Sequence, residues 1–318
     1  MEKRIKLTVL SFGGGQDSTA ILYRIIGDPE FRDRWVQGGV IVVMSDTGNE
    51  HPHTYRHIAF IEQLCREHAI EFHFLRSRMG YHPRTWPTLQ HQFRRNRVVM
   101  SLAYPRTCTD NLKIKPIYNF LDHYVAKRYF GYTDPVHPKG KRYLKQFARE
   151  FGPIRILLGI AAGEEHRVAA QGKKALKKMQ LDLFKQPRPI GKSWMDWCLD
   201  KAYPLIDAGM DRAACQAYIR SVGLPLPFPS NCMMCPFASK AEILWLYRKM
   251  PAQFRKWVAF EQAKLDKCAG TAKRNLGVKG EQSLEAVLAE AIAEFGHLSD
   301  AELETYKMSH GHCVRSSY

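Results

Sequence analysis

The sequence predicts an α/β protein in which helices cover both faces of a parallel sheet, followed by a mainly helical C-terminal region. Two observations support this prediction. Short apolar runs alternate with longer segments whose apolar residues recur at helical spacing, and this alternation gives way to helical patterns from about Cys198 onward. Strands and helices that alternate along a chain form parallel sheets that helices cover on both sides. We therefore expect an α/β domain over residues 1–197 and a helical region over residues 198–318.

The elements follow from the chain in order. Four apolar runs are short enough for buried strands, and the segments after the first two carry Ile, Leu and Phe at helical spacing. We expect two stretches, 76–107 and 131–152, to be irregular insertions. After the boundary, helices are interrupted by the proline-rich segment "GLPLPFPSNCMMCPF". The predicted strands are 5–10, 39–46, 70–75 and 154–160, and the predicted helices near them are 18–26 and 53–69.

Length and composition restrict the class of protein. A chain of 318 residues can bury a large core, as one domain with an appendage or as two domains. It has no apolar run of about 18 residues and no export signal, so we expect a cytoplasmic protein with no membrane partner. Under that expectation, its eight cysteines are thiols or metal ligands rather than a disulfide framework.

The positive charge is concentrated in two segments. The net charge is +17, and residues 76–115 and 139–192 together carry the whole excess. The first segment also interleaves aromatic residues with its arginines, which suits phosphate contacts combined with base stacking. We expect an acidic partner, DNA or RNA, with a polyanionic small molecule as the alternative. Lysine-rich helices such as "KKALKKMQ" can also be simply solvated.

Three polar loops that contain glycine fall at the predicted ends of strands. They are "SFGGGQDS" at 11–18, "SDTGNE" at 45–50 and "GIAAGEEHR" at 159–167. Ligands bind at the carboxyl ends of parallel strands, so we expect the loops to converge on one site. The glycine loop is either a tight turn or a phosphate cradle at a helix N-terminus. It matches neither the Walker loop, which needs lysine, nor the dinucleotide fingerprint.

Particular residues in these loops are candidate ligands of a nucleotide. In the second loop, the carboxylate of Asp46 can reach a ribose hydroxyl or hold Mg²⁺ against phosphates, and Glu50 can assist it. Glycines of the third loop allow close approach of the backbone, and charged residues open the next helix, where a carboxylate can also serve only as a cap. The candidate nucleotide-binding residues are Ser11, Gly13, Gly14, Gly15, Gln16, Asp17, Ser18, Asp46, Gly159, Glu164 and Arg167.

The glycine loop resembles the pyrophosphatase loop, Ser-Gly-Gly-x-Asp-Ser, of the adenine nucleotide alpha-hydrolase (PP-loop) superfamily. The resemblance implies that the loop binds the pyrophosphate of ATP, that cleavage falls between the α and β phosphates, and that Asp17 and Ser18 are catalytic. Two positions depart from the pattern. Gly13 stands at the first serine, and Gln16 stands where lysine is common, so the loop lacks one hydroxyl and one charge.

Further segments resemble successive motifs of the phosphoadenosine phosphosulfate reductase family, to about residue 260. This resemblance implies a Rossmann-like (HUP) sheet, adenine nucleotide binding and sulfur chemistry. The segments are "SDTGNEHPHTYRHI" (45–58), "RTCTDNLKIKPIYNFL" (106–121), "LLGIAAGEEHR" (157–167), "YPLIDAGMDRAACQAYIRSVGLP" (203–225), "CMMCPF" (232–237) and "WLYRKMPAQF" (245–254).

The cysteines indicate a metal centre. Cys232 and Cys235 have the Cys-x-x-Cys spacing of a metal clip or a redox pair. Cys108, which we also expect to be catalytic, can complete a three-thiolate set, with Cys313 as the fourth ligand. Cys268 or a non-protein ligand are the alternatives to Cys313. We expect a [4Fe-4S] cluster rather than zinc, because thiolates beside an adenylating site suit sulfur handling.

The remaining cysteines and the last residues of the chain help to distinguish the possible functions within the family. Cys65, Cys198 and Cys215 fall in helical patterns and are expected to pack in the core. A sulfonucleotide reductase would need a tail with Glu-Cys-Gly-x-His, whereas this chain has "SHGHCVRSSY" at 309–318. The reductase hypothesis therefore loses its main catalytic element, although it stays an alternative.

The layout is most similar to the ATP pyrophosphatase subunit of Dnd/Ssp-type DNA phosphorothioation systems. This resemblance implies adenylation of a DNA backbone phosphate, followed by sulfur insertion. The implied partners are DNA, a cysteine desulfurase as sulfur donor and further modification-complex subunits, and the implied setting is anti-phage defence. The layout is also compatible with a tRNA thiolation enzyme and with a non-catalytic, nucleotide-gated DNA-binding subunit.

Overall fold

A computed structural model describes residues 5–104, 107–168, 193–271 and 274–310, together with two short strands at 179–181 and 187–189. Its centre is a five-stranded sheet in which all strands are parallel, in the order β3-β2-β1-β4-β7. This confirms the predicted Rossmann-like α/β class. The sheet strands are β1 (Leu7–Ser11), β2 (Gly39–Ser45), β3 (Glu71–Leu75), β4 (Ile154–Leu158) and β7 (Leu199–Ala202), and the short antiparallel pair is β5 (Met179–Leu181) and β6 (Pro187–Pro189).

Helices cover both faces of the sheet because apolar side chains of the central strands alternate between the faces. On β1, Leu10 packs on one face with Phe12, whereas Leu7 and Val9 pack on the other. The helices of the sheet layer are α1 (Gln16–Gly27), α2 (Pro29–Trp35), α3 (Pro52–Glu67), α5 (Lys115–Phe130), α6 (Arg142–Glu150), α7 (Met195–Cys198), α8 (Pro204–Asp207) and α9 (Arg212–Ser221).

The face that Leu10 joins is covered by α1, α3 and α9, and the opposite face by α5 and α6. Local sequence fixes several helix starts. α3 has proline in its first turn, which the helix tolerates because that position needs no amide donor. The Asp211 carboxylate caps α9 by accepting a hydrogen bond from the Ala214 amide at 2.8 Å.

A second core forms under the C-terminal helices. It is built around Trp257, Phe254 and Ile243, and it also takes in Leu89 and Phe93 from a helix in the first half of the chain. The helices in this part of the molecule are α4 (Leu89–Asn96), α10 (Lys240–Lys249), α11 (Pro251–Lys267), α12 (Leu284–Phe295) and α13 (Asp300–His310). The helical C-terminal region with its Cys-x-x-Cys loop is therefore present as predicted.

Two expectations about irregular segments are wrong. Residues 76–107 contain α4, which ties this insertion to the C-terminal core, and residues 131–152 contain α6, which covers the sheet. The sheet layer also extends past residue 198, because β7 pairs with β4 and α9 packs against α1. No helix among the described residues is both long and apolar enough to span a bilayer.

Candidate functional site

The glycine loop connects β1 to α1 and is held tightly by its neighbours. Gly14 has a φ of +73°, and a β-carbon at this position would lie 3.2 Å from both Met44 Cε and Thr54 Cγ2. A β-carbon on Gly15 would lie 2.8 Å from Ser230 Oγ. The loop therefore needs glycine at Gly14 for its conformation and at Gly15 for close packing.

The start of α1 has no side-chain cap. Gly15 is the N-cap, and no side chain caps the helix, so its first amides are left for a ligand or water. The Gly13 amide donates to Ser18 Oγ at 3.1 Å, and Ser18 Oγ donates to the Gly15 carbonyl at 3.2 Å. The loop conformation thus depends on Ser18, while Ser11 ends β1 just before the loop.

Gln16 does not face the loop opening. Its side chain is 3% exposed and is used inside the protein. Gln16 Nε2 donates to the Pro227 carbonyl at 3.1 Å, and Gln16 Oε1 accepts from Gln216 Nε2 at 3.0 Å. The side chain at this position of the loop therefore links α1 to α9 and to the proline-rich segment, and only the backbone amide of Gln16 is placed for an anion.

Asp17 joins a group of buried charges that includes one residue the sequence did not indicate. Glu164 forms ion pairs with Arg167 through one carboxylate oxygen and with Arg212 through the other. Burial raises the pKa of Asp17 to about 6, although Arg212 acts in the opposite direction. Arg212 lies at the start of α9, inside the segment 203–225, but it was not among the candidate site residues. Only the packing of α9 against α1 brings it to the loop.

The third loop approaches the same helix start. A β-carbon on Gly159 would lie 2.8 Å from the Ser18 amide nitrogen, so the backbone of the third loop touches the beginning of α1. Gly163 has a φ of +86° in open space. Gly159 is therefore required because the backbone of α1 lies too close for a side chain, and Gly163 is required because of its positive φ.

The second loop contains two carboxylates, and each accepts a hydrogen bond from a different hydroxyl group. Asp46 Oδ1 accepts hydrogen bonds from the Gly48 amide at 2.7 Å and from Tyr55 Oη at 2.9 Å. Glu50 is 1% exposed; its Oε1 accepts from Thr47 Oγ1 at 2.8 Å, while its Oε2 has no hydrogen-bond partner among the described residues. Asp46 thus holds the loop conformation through Oδ1.

Three of the predicted metal ligands line one pocket. Cys108, Cys232 and Cys235 surround about 510 Å³ of space, part of it open to solvent, together with Thr47 and Ser230. Cys108 precedes the turn at 110–114, and the other two belong to the loop before α10. Three cysteines that are far apart in the chain therefore line the same pocket.

The donor chemistry of this pocket suits a thiolate-bound metal. Three cysteines that line one pocket match the ligand type of an iron-sulfur cluster or of zinc. Within the described ranges, however, no three His, Cys, Asp or Glu residues are already arranged to hold a metal ion. Cys313 lies outside the described residues, so its role as fourth ligand stays a prediction. Cys268 is the C-cap of α11.

The remaining cysteines pack in the core as expected. Cys65 and Cys215 are buried with the helices on one face of the sheet, and Cys198 is buried on the other face. Burial raises the pKa of Cys65 and of Cys215 to about 12 and that of Cys198 to about 11. Their thiols therefore stay protonated at neutral pH and are poor nucleophiles.

Ser230 connects the glycine loop with the cysteine pocket. Its Oγ packs on Gly15, and the same residue lines the pocket beside Cys232. The second loop makes a further link, because Glu50 forms a backbone bridge with Cys232 and the Met233 amide donates to the Asn49 carbonyl at 2.9 Å. The two candidate sites are therefore adjoining parts of one structure.

Comparisons with known proteins give a distant structural likeness. No protein-family model matches the chain. No curated protein matches it either. Among solved structures, it is similar to the U34-tRNA thiolase NcsA from Methanococcus maripaludis with its [4Fe-4S] cluster, at a TM-score of 0.37 and 11% sequence identity, over 94% of this chain and 75% of that chain. We draw no conclusion about function from a likeness at this level.

Proposed function

We propose that this protein is a PP-loop ATP pyrophosphatase that adenylates a DNA backbone phosphate and supports sulfur insertion there. The observation that carries the proposal is the contact between its two candidate sites. Ser230 packs on Gly15 of the glycine loop and lines the pocket of Cys108, Cys232 and Cys235. Activation by a nucleotide followed by sulfur transfer needs these two sites side by side.

Binding of the nucleotide follows from the start of α1. Its uncapped amides and the positive end of its dipole would hold the pyrophosphate part of ATP. Asp46 would hold Mg²⁺, which commonly takes one or two carboxylates together with substrate phosphates. Asp17 lies close to Glu164, Arg167 and Arg212, and its pKa would change with the charge of that complex.

The proposed reaction has two steps. A non-bridging oxygen of the DNA phosphate attacks the α-phosphorus of ATP, a new P–O bond forms, and the bond to the β-phosphate breaks so that pyrophosphate leaves. A sulfur nucleophile then attacks the activated DNA phosphorus and displaces AMP. A [4Fe-4S] cluster held by Cys108, Cys232 and Cys235 would supply iron that carries this sulfur as sulfide, which a cysteine desulfurase would deliver as a persulfide and a two-electron thiol reductant would release.

Pyrophosphate release tests the proposal. With ATP, Mg²⁺ and DNA, the protein should release pyrophosphate, and Asp17→Asn and Ser18→Ala should reduce the rate by about 100-fold or more, since both alter the loop itself. Cys232→Ala should keep release but lose iron and sulfide after anaerobic purification.

Four results would contradict the proposal in distinguishable ways. Release with tRNA in place of DNA would indicate an RNA thiolation enzyme. Sulfite produced from a sulfonucleotide without ATP cleavage would indicate a reductase. ATP binding with no release would indicate a nucleotide-gated DNA-binding subunit, and a colourless protein loaded with zinc would overturn the cluster.

A further inference from the structure

A lysine of the last helix is buried without a counter-charge. Lys307 is 1% exposed, its Nζ lies 3.4 Å from His51 Nε2, and it stands 4.7 Å from the centroid of the Trp245 ring. In the part of the chain that the structure describes, no carboxylate oxygen lies within 4.0 Å of this amine. A buried ammonium group without a charged partner is costly, so this arrangement needs a reason.

The carboxylates nearest to Lys307 are engaged elsewhere. Glu242 accepts from Asn231 Nδ2 at 2.7 Å and from the Ser239 amide at 2.9 Å. Glu304 accepts from Trp245 Nε1 at 3.2 Å. Both therefore act on Lys307 only over a longer distance, and neither forms an ion pair with it.

The residue after Lys307 contacts the start of α1. Met308 Sδ lies 3.6 Å from Gln16 Nε2, and the Met308 carbonyl accepts from Gln216 Nε2 at 3.1 Å. Because Gln16 is the first residue of α1, the end of α13 is fixed beside the glycine loop.

His51, which contacts Lys307, is linked to the glycine loop through Thr54. His51 is the N-cap of α3, and its carbonyl accepts from the Thr54 amide at 2.9 Å. Thr54 Cγ2 would lie 3.2 Å from a β-carbon on Gly14. Lys307 is thus flanked by two short chains of contacts, one of which ends on the Gln16 side chain at the start of α1 and the other on Gly14 of the glycine loop.

The glycine loop itself contains no cation. Residues 11–18 include no lysine, arginine or histidine, so its attraction for anions comes from amides and the helix dipole. His51 adds a second feature that indicates a ligand, because it is 3% exposed and its Nδ1 has no hydrogen-bond partner among the described residues. An anionic group would satisfy both the buried amine and the imidazole.

We propose that Lys307 supplies, from α13, the positive charge that binds the diphosphate part of the ligand at the glycine loop. The inference rests on the proposed function for the identity of that ligand as ATP. The C-terminal helix would then be part of the nucleotide site, and Lys307 would be a binding residue rather than only a packing residue.

The test measures binding of pyrophosphate and of ATP, each with Mg²⁺, by calorimetry on the full chain. Lys307→Met keeps the length and apolar stem of the side chain but removes its charge. We expect about 10-fold to 100-fold weaker binding of both ligands, as for loss of a hydrogen bond to a charged group. Lys264→Met is the matched control. Lys264 is a partly buried lysine of α11 that donates to the Leu276 carbonyl at 2.6 Å, and its substitution should leave the affinity unchanged.

A folded Lys307→Met variant with unchanged affinity would overturn the inference while the proposed function stands. If the unaltered protein binds neither ligand, both are wrong. If the variant does not fold, hydrogen exchange of the unaltered protein decides: pyrophosphate should slow exchange in α13 around residues 304–308 and in the loop at 13–18. Slowing in the loop alone would overturn the role of Lys307.

Discussion

At the residue scale, the charges behind the glycine loop make Asp17 unusual. Burial favours the neutral form of this carboxyl group, while two arginines and a glutamate lie close to it. The pKa of Asp17 therefore depends on the charges around it. Arrival of a phosphate group and Mg²⁺ would change those surroundings. Under the proposed function, ligand binding would therefore be coupled to proton uptake at Asp17.

The raised pKa of Asp17 gives a stability prediction with a definite sign. The folded protein keeps this proton up to about pH 6, whereas the unfolded chain releases it near the ordinary aspartate pKa of 3.8. The contribution to stability is therefore full below pH 3.8 and is lost as the pH rises through 6. Asp17→Asn should raise the free energy of unfolding by up to about 3 kcal/mol at about pH 8 and change it little at about pH 4.

Urea unfolding at these two pH values measures the effect. Asp28→Asn is the control of opposite sign, because the Phe31 amide and the Arg24 guanidinium lower the pKa of Asp28. That variant should be less stable than the unaltered protein at neutral pH. A destabilising Asp17→Asn at about pH 8 would mean that the charged carboxylate stabilises the fold.

Sequence alone identified some of the site residues and missed others for physical reasons. Asp17 and Ser18 lie in a local motif, so their place at the start of α1 could be predicted. Arg212 joins the charges around Asp17 only through the packing of α9, and α13 is held near α1 by contacts of Met308, which no local pattern encodes. The contacts of the Gln16 side chain could not be predicted locally either, because its partners lie far along the chain.

At the element scale, the long apolar strands were predictable and the polar elements were not. β2 is mostly valine and isoleucine, which the period and composition reveal. β7, by contrast, reads Leu-Asp-Lys-Ala and is an edge strand, stabilised in part by the pairing of Arg155 on β4 with Asp200 at 2.9 Å. α4 and α6 are short and rich in charge, and each shows its apolar face only against a neighbouring core.

The contact between the third loop and α1 predicts a specific effect of one methyl group. Gly159→Ala would place a β-carbon 2.8 Å from the Ser18 amide nitrogen, so backbone must move. We expect a loss of about 1 to 3 kcal/mol in the free energy of unfolding, together with weaker pyrophosphate binding, because the start of α1 is displaced. Thermal or urea unfolding and calorimetry measure the two effects.

Gly39→Ala is the matched control for that substitution. Gly39 begins β2, is exposed and has no atom within 4 Å of an added β-carbon. Its substitution should change stability by no more than about 0.5 kcal/mol. Equal effects at the two positions would contradict the packing that links the third loop to α1.

At the scale of the whole molecule, the parallel sheet gathers the three loops, and the C-terminal helices close the arrangement from one side. Ser230, Cys232 and Lys307 all come from beyond the sheet, yet each contacts residues of the first two loops or of the helices that follow them. In the proposed site, the edge of the sheet would bind the anion and the helical region would provide Cys232, Cys235 and a buried cation, while Cys108 comes from the first half of the chain. Neither part forms the candidate site alone.

The distribution of charge over the molecule predicts where a nucleic acid binds. Residues 76–115 carry nine Lys or Arg against one acid, and the structure exposes Arg94 and Arg95 in the last turn of α4. If this segment contacts DNA phosphates, replacing both arginines with glutamine should weaken DNA binding. It should also reduce the magnitude of the slope of log K against log salt by about 2, because each phosphate contact that is lost lowers the number of counterions released on binding by about one. Arg32 and Arg34, exposed on α2 outside the basic segments, are the control pair and should leave that slope unchanged. Equal loss in both double variants, measured by fluorescence anisotropy across a salt series, would show that the attraction comes from overall charge rather than from this surface.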